Sequence, residues 1–144
     1  MKNLTVDFGI DLGTTNSTIA RIKGVDTEVF KNNVGSEITP SAVWMDPKGR
    51  IHVGEIAKGN LERDPGNSFS EFKLQMGTET QYTFERNQRR MSPEELSAEV
   101  LKALKDDVRR QLGEDVTSVV ITVPAAFELP QCQATNKAAE LAGF

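Results

Sequence analysis

Hydrophobic and polar residues alternate along residues 4–12, the pattern of a β-strand with one buried face. One face holds Val6, Phe8, Ile10 and Leu12, and the other holds Asp7, Gly9 and Asp11. Two further runs, 17–23 and 26–31, flank Gly24 and are predicted to be the second and third strands. The chain is therefore expected to open with a three-stranded antiparallel meander, whose first turn follows Leu12.

Glycine and proline interrupt the middle of the chain, which predicts short elements joined by turns. The elements expected there are a hairpin of residues 42–45 and 50–53, a short helix over 54–61, and a second helix over 68–76. The second helix rests on the capping-box spacing of Ser68 and Glu71, with Gly77 as its stop. Phe69, Phe72 and Met76 would form its apolar face.

The last third of the chain has the strongest pattern. Ser92-Pro93-Glu94-Glu95 combines an N-cap, a proline at the first helical position and a capping-box glutamate. An apolar stripe then repeats every fourth residue until Gly113, at Leu96, Val100, Leu104, Val108 and Leu112. A β-branched strand over 116–123 ends at Pro124, and a final helix over 129–142 carries small alanines that would let it approach a sheet closely.

This order of elements predicts an α/β fold: the meander, one parallel strand, and helices that flank the sheet. Residues 1–38 and 92–144 would form the core subdomain. Residues 39–91 would form an inserted satellite, a small α+β subdomain on that core.

The composition of the chain adds no structural element to this picture, but it excludes several classes of function. The chain of 144 residues is 38% hydrophobic and 26% charged, as expected for a globular protein. A net charge of −4 gives no basic surface for nucleic acid or anionic membrane. The N-terminus has no apolar signal-peptide core, and the single cysteine, Cys132, suits a reducing compartment. These features predict a cytoplasmic location, with no partnership with nucleic acid or membrane.

Candidate chemistry concentrates in the first turn, within the segment IDLGTTNST of residues 10–18. Gly13 lets an anion approach the backbone, and Thr14, Thr15 and Asn16 add donors. Asp11 would repel a bare phosphate, so its presence favours a Mg²⁺ ion between the two. A hairpin turn closed by its own Asx and hydroxyl hydrogen bonds is the alternative, and residue types alone favour that simpler interpretation. Neither a Walker A loop nor a G-x-G-x-x-G fingerprint is present.

The turn also resembles the first phosphate loop of the DnaK-type heat-shock chaperones, which belong to the actin and sugar-kinase superfamily. The resemblance continues in register over nearly the whole chain. Its further motifs are Thr39-Pro40-Ser41, Val53-Gly54-Glu55-Ile56-Ala57-Lys58, Phe72-Lys73-x-x-Met76-Gly77, Leu96-Ser97-Ala98-Glu99-Val100-Leu101, Val120-Ile121-Thr122-Val123-Pro124-Ala125, Gln133-Ala134-Thr135 and Ala139-Glu140-Leu141-Ala142-Gly143.

The resemblance implies a ribonuclease H-like, actin-like ATPase fold and the cofactors ATP or ADP with Mg²⁺. It implies that Gly13, Thr14, Thr15 and Asn16 contact the phosphates and that Asp11 faces hydrated Mg²⁺. Lys73 would be the catalytic lysine that reaches the γ-phosphate and the attacking water. The implied partners are unfolded polypeptide, a J-domain co-chaperone and a nucleotide-exchange factor.

The chain also departs from the family pattern. Its segment between Gly77 and Met91 is short, as in the bacterial HscC-like branch. Pro124 matches the family's switch proline, but Cys132 stands where an arginine of the same allosteric relay is expected. Ala126 replaces an aromatic residue.

The resemblance further implies that these residues form the N-terminal part of lobe I of the ATPase domain. The second phosphate loop and the peptide-binding domain would be absent. We therefore expect the chain alone to be inactive and to expose an apolar face that favours self-association.

Two other functions remain open from sequence: a different actin-like enzyme such as a sugar kinase, and a non-enzymatic interaction module. His52 has no neighbours at metal-ligand spacing and is expected to be an ordinary strand residue.

Overall fold

The structure, a computed structural model, describes residues 7–144. Residues 1–6 lie outside this range. The predicted start of the first strand at residue 4, the predicted buried position of Val6 and most of the N-terminal stretch that was compared with a signal peptide therefore lie outside the described residues. The strands are β1 (Phe8–Leu12), β2 (Asn16–Lys23), β3 (Asp26–Val29), β4 (Thr39–Pro40), β5 (Ala42–Met45), β6 (Ile51–Val53), β7 (Ser68–Ser70), β8 (Tyr82–Thr83), β9 (Arg90–Met91) and β10 (Val120–Thr122). The α-helices are α1 (Glu55–Arg63), α2 (Pro93–Leu112) and α3 (Leu129–Leu141), and 3₁₀ turns cover Pro65–Asn67 and Phe72–Gln75.

The main sheet has the order β10-β1-β2-β3, with β4 paired to the start of β2. The first three strands are antiparallel neighbours, so the predicted meander is confirmed. β10 runs parallel to β1, with Asp11 opposite Thr122. Because the two strands are parallel, their carboxyl ends meet at one edge of the sheet, which is where α/β proteins commonly place ligands.

Helix α2 covers the buried face of this sheet. Its capping box is confirmed: the Glu95 N–H donates to Ser92 Oγ, and the Ser92 N–H donates to Glu95 Oε1, each at 3.1 Å. The predicted stripe is buried at Leu96, Val100, Leu104 and Val108 and joins Ile10, Leu12 and Ile19 in one hydrophobic core. The spacing of the sequence therefore identified the core-facing side of α2 correctly.

Helix α3 packs on α2. A second side of α2 is buried as well, including Ser97 and Leu101. At the far end, Lys105 Nζ donates to the Gly143 carbonyl oxygen at 3.1 Å. The small side chains of α3, of which Ala134 and Ala138 are buried, permit this close packing.

The helix predicted over 68–76 is wrong. Ser68–Ser70 instead pairs with β5 as strand β7, and Ser68 Oγ donates to the Ala57 carbonyl oxygen at 2.9 Å instead of capping a helix. Glu71 then adopts a left-handed backbone conformation with φ of 57°, which a continuous helix cannot contain. Only Phe72–Gln75 forms a helical turn, although Phe72 and Met76 are buried as expected.

The other elements predicted within residues 39–91 are present. The hairpin forms from β5 and β6, and α1 extends two residues further than expected, to Arg63. A small hairpin of β8 and β9 follows and contributes buried Phe84 and Met91 to the core. None of the helices among residues 7–144 is both long and apolar enough to cross a membrane.

Strand β10 is shorter than the predicted strand over 116–123. Within the described residues it pairs with β1 alone and is the outermost strand of the sheet. Its residue Val120 is 57% exposed. Sequence pattern reports β-propensity, whereas strand length depends on a hydrogen-bonding partner. The expected self-association through exposed apolar residues stays a prediction.

Replacing Asp107 by Asn should stabilise the fold at neutral pH. Asp107 is buried on α2, and burial raises its pKa to about 6 although Arg110 opposes the shift. The folded chain therefore holds a proton that the unfolded chain releases near pH 3.8, and stability falls as the pH rises from there through about 6. We expect the variant to gain up to about 3 kcal/mol in free energy of unfolding at pH 7 and to gain little below about pH 4.

Urea unfolding across this pH range measures the effect, with Asp106→Asn as the matched control. Asp106 is exposed on the same helix and is the smallest of the causes that shift the pKa of Asp107, so this variant should gain much less. Equal gains for both variants, or a gain that does not vary with pH, would contradict the burial argument.

Candidate functional site

The first turn occupies residues 13–15, at the carboxyl end of β1, and directly follows the last buried residue of that strand, Leu12. The turn is too tight for a side chain at its first position. A Cβ atom built on Gly13 would lie 2.1 Å from the carbonyl oxygen of Asn16. Glycine is therefore a steric requirement of this turn.

Ser41 supports the turn through two hydrogen bonds to its backbone. Its N–H donates to the Thr15 carbonyl oxygen at 2.8 Å, and its Oγ donates to the Gly13 carbonyl oxygen at 2.8 Å. The hydroxyl groups of Ser41 and Ser17 also lie 2.8 Å apart, and both residues are buried. Sequence reasoning missed this support, although the Thr39-Pro40-Ser41 motif was its signal.

The hydrogen bonds described at this turn come from Ser41 and not from the side chains of Thr14, Thr15 and Asn16. Thr15 and Asn16 are exposed and Thr14 is half-buried. Within residues 7–144, the side chains of these three residues make no hydrogen bond, whereas the buried Ser17 and Ser41 do. The simpler interpretation required local Asx or hydroxyl bonds. The geometry therefore favours a turn whose donors are available to a ligand.

Lys73 reaches this turn from the 3₁₀ turn Phe72–Gln75, 61 residues along the chain from Leu12. Its Nζ donates to the carbonyl oxygen of Leu12, the residue that precedes Gly13. Burial lowers the pKa of Lys73, while the negative charge of Asp11 acts in the opposite direction and favours the ammonium. A cationic group thus stands at the base of the loop that was predicted to bind phosphate.

Asp11 lies at the same edge with its side chain exposed. Thr122, on β10, donates from Oγ1 to Asp11 Oδ1 at 3.3 Å, and sequence reasoning had assigned no role to Thr122. Among residues 7–144 no group of three His, Cys, Asp or Glu side chains is arranged to hold a metal ion. One carboxylate fits Mg²⁺ that keeps its waters and shares phosphate oxygens, because Mg²⁺ seldom uses an all-protein cage.

Pro124 and Cys132 lie outside this cluster of contacts. Pro124 is exposed just beyond β10, and its carbonyl oxygen accepts the N–H of Phe127 at 3.0 Å. Cys132 is a half-buried free thiol in the first turn of α3. Ala126 is exposed, but the next residue, Phe127, places its ring over Lys73 with 5.4 Å between the ring centroid and Nζ.

His52 is a residue of strand β6, as expected, and belongs to a separate structural cluster. Its Nε2 lies 2.8 Å from Asp46 Oδ2, and its ring packs against that of Trp44 at a tilt of 32°, with centroids 5.1 Å apart. The hydrogen bond from His52, with further bonds from Arg50 and Lys48, holds the pKa of Asp46 well below its usual range. This arrangement fixes the turn between β5 and β6.

A groove of about 720 Å³ lies between β6, the start of α1 and α2. None of the predicted site residues lines it. The cluster at the ends of β1 and β10 is a shallow edge site, and chemistry, not cavity size, identifies it.

Comparison with known proteins gives one consistent result. Residues 7–144 match the family model described as Hsp70 protein. The chain is 43% identical over 137 residues to proteins named "Chaperone protein DnaK" from two strains of Halobacterium salinarum, R1 and NRC-1. The match covers 95% of this chain and 22% of each relative, so the chain spans about a fifth of their length.

Proposed function

Because the chain belongs to the Hsp70 family, whose ATPase domain has the actin-like fold, we propose that the edge site binds the phosphates of ATP with Mg²⁺. Gly13, Thr14, Thr15 and Asn16 would supply the loop. Lys73 would act on the γ-phosphate. The whole protein would be an ATP-driven chaperone.

The observation that carries the proposal is the contact between Lys73 Nζ and the Leu12 carbonyl oxygen. It joins the two parts of the chain that the sequence had assigned separately to phosphate binding and catalysis. A structural lysine at a helix edge would direct its ammonium to water. This ammonium instead lies at the base of the loop.

The roles follow from what phosphoryl transfer requires, which is positioning and charge neutralisation more than a strong base. The loop donors hold phosphate oxygens, and Ser41 and Ser17 keep the loop rigid. Asp11 orients the hydrated ion, and Mg²⁺ when bound neutralises phosphate charge. Lys73 neutralises charge that develops on the transferred group and orients the attacking water.

At the level of the whole protein we propose a cytoplasmic heat-shock chaperone active in the stress response. It would bind unfolded polypeptide and work with a J-domain co-chaperone and a nucleotide-exchange factor. Pro124 and Cys132 occupy the proposed relay positions, and the short segment before Met91 supports an HscC-like branch. The family assignment favours this function over a sugar kinase.

A full-length protein that carries this chain provides the test. We expect it to hydrolyse Mg-ATP and to release an unfolded model peptide faster in ATP than in ADP. Steady-state phosphate release and fluorescence-detected peptide dissociation measure the two steps. Peptide binding that is indifferent to nucleotide, without hydrolysis, would instead identify a non-enzymatic interaction module.

A further inference from the structure

We propose that Phe127 is a positioning residue for Lys73, in that its ring holds the ammonium against the phosphate loop. The inference rests on the proposed function of Lys73. Its first support is the ring's position, with the centroid 5.4 Å from Lys73 Nζ. At this distance the negative face of an aromatic ring attracts a cation.

The burial pattern of the surrounding segment sets Phe127 apart from its neighbours. Residues 123–126 and 128–130 are all exposed, and Phe127 alone among them is half-buried. An apolar ring in an otherwise exposed segment needs a partner to cover it. In this structure that partner includes the ammonium of Lys73.

The backbone on both sides fixes the ring. Before it, the Phe127 N–H donates to the Pro124 carbonyl oxygen and closes a turn. After it, Glu128 caps α3, and the Glu128 N–H donates to Gln131 Oε1 at 2.6 Å. Phe127 therefore sits between two closed turns and has little freedom to leave Lys73.

The two elements that carry the pair are also docked directly on each other. Gly77 follows the turn of Lys73 with φ of 79°, and a Cβ atom there would lie 3.2 Å from the Pro130 carbonyl oxygen. The start of α3 thus packs on the backbone just after the lysine turn. This backbone contact fixes the position of the Phe127 segment relative to the turn that carries Lys73.

The geometry divides the three donors of the ammonium. One N–H is used by the Leu12 carbonyl oxygen, and the ring centroid of Phe127 lies 5.4 Å from the same nitrogen. Donors of the ammonium beyond the one bonded to Leu12 can then serve an anionic ligand at the loop. Without the ring, the lysine side chain gains rotamers in which its head leaves the loop.

Phe127→Leu removes the aromatic face and keeps an apolar side chain, whereas Phe127→Tyr keeps the face. In the chain labelled with ¹³C at lysine Cε, ¹H–¹³C spectra without nucleotide report on the ring directly, with Lys73→Arg as the assignment control. We expect a ring-current shift of the Lys73 ε-methylene relative to that of exposed Lys58. The shift should vanish in Phe127→Leu, with faster side-chain motion, and should persist in Phe127→Tyr.

In the full-length protein, we expect Phe127→Leu to lower ATP turnover about three- to thirtyfold with little change in KM, the range that a cation–π contact supports. Phe127→Tyr should restore it. An unchanged Lys73 signal in Phe127→Leu overturns the inference, and so does a lost shift with unchanged motion and turnover. The spectra need no nucleotide, so they decide the inference even if hydrolysis fails, which would contradict only the proposed function.

Discussion

Lys73→Ala in a full-length protein that carries this chain should reduce ATP hydrolysis by about 10²–10³-fold, the cost of removing one preorganised group that stabilises transition-state charge. Nucleotide affinity should fall much less. The proposed phosphate loop should stay closed in the variant, because Ser41 still donates to the Gly13 carbonyl oxygen. Single-turnover phosphate release and calorimetric titration with Mg-ATP separate the two effects.

Lys58→Ala is the matched control, because Lys58 is an exposed lysine on α1. It should leave both turnover and affinity unchanged. Hydrolysis at the wild-type rate in Lys73→Ala would refute the catalytic assignment. An equal loss of affinity and turnover would instead make Lys73 a binding residue.

Sequence pattern predicted best where local chemistry determines structure. The capping box at Ser92 and Glu95 and the four-residue repeat that follows it depend only on neighbours within α2, and both are present. The alternation in β1 likewise predicted which side is buried. Such signals need no knowledge of distant contacts.

Local spacing failed where a distant partner decides the outcome. Ser68 and Glu71 have capping-box spacing, yet β5 captures Ser68–Ser70 as a neighbouring strand. A strand pairing across about 25 residues competes with one short helical turn, and the pairing prevails.

The candidate site shows both cases together. Motifs located the loop and Lys73, but the contact that unites them spans the chain and is visible only in the fold. Thr122 and Phe127 had no local signature of a role, since each contacts a residue far away in sequence, and only a motif pointed to Ser41. Spacing reveals periodic faces, whereas supporting contacts arise from topology.

Gly13→Ala should abolish most nucleotide binding, because the added Cβ would lie 2.1 Å from the Asn16 carbonyl oxygen. That oxygen belongs to backbone at the start of β2, which cannot move aside as the end of a flexible side chain can. The turn must open, and its displacement also strains the bond from Ser41 Oγ to the Gly13 carbonyl oxygen. We expect a loss of about 1–3 kcal/mol in stability, the usual scale of local backbone strain.

The same displacement moves the loop donors away from the phosphate positions, so affinity for Mg-ATP should fall by at least tenfold, the effect of about 1.4 kcal/mol. Calorimetry on the full-length protein and thermal unfolding of the chain measure the two quantities. Gly59→Ala is the matched control: nothing lies within 4 Å of its added Cβ, and its place inside α1 predicts a gain of about 0.5–1 kcal/mol. Wild-type affinity in Gly13→Ala would show that the tight turn is structural only, and the phosphate-binding role of the loop would be lost.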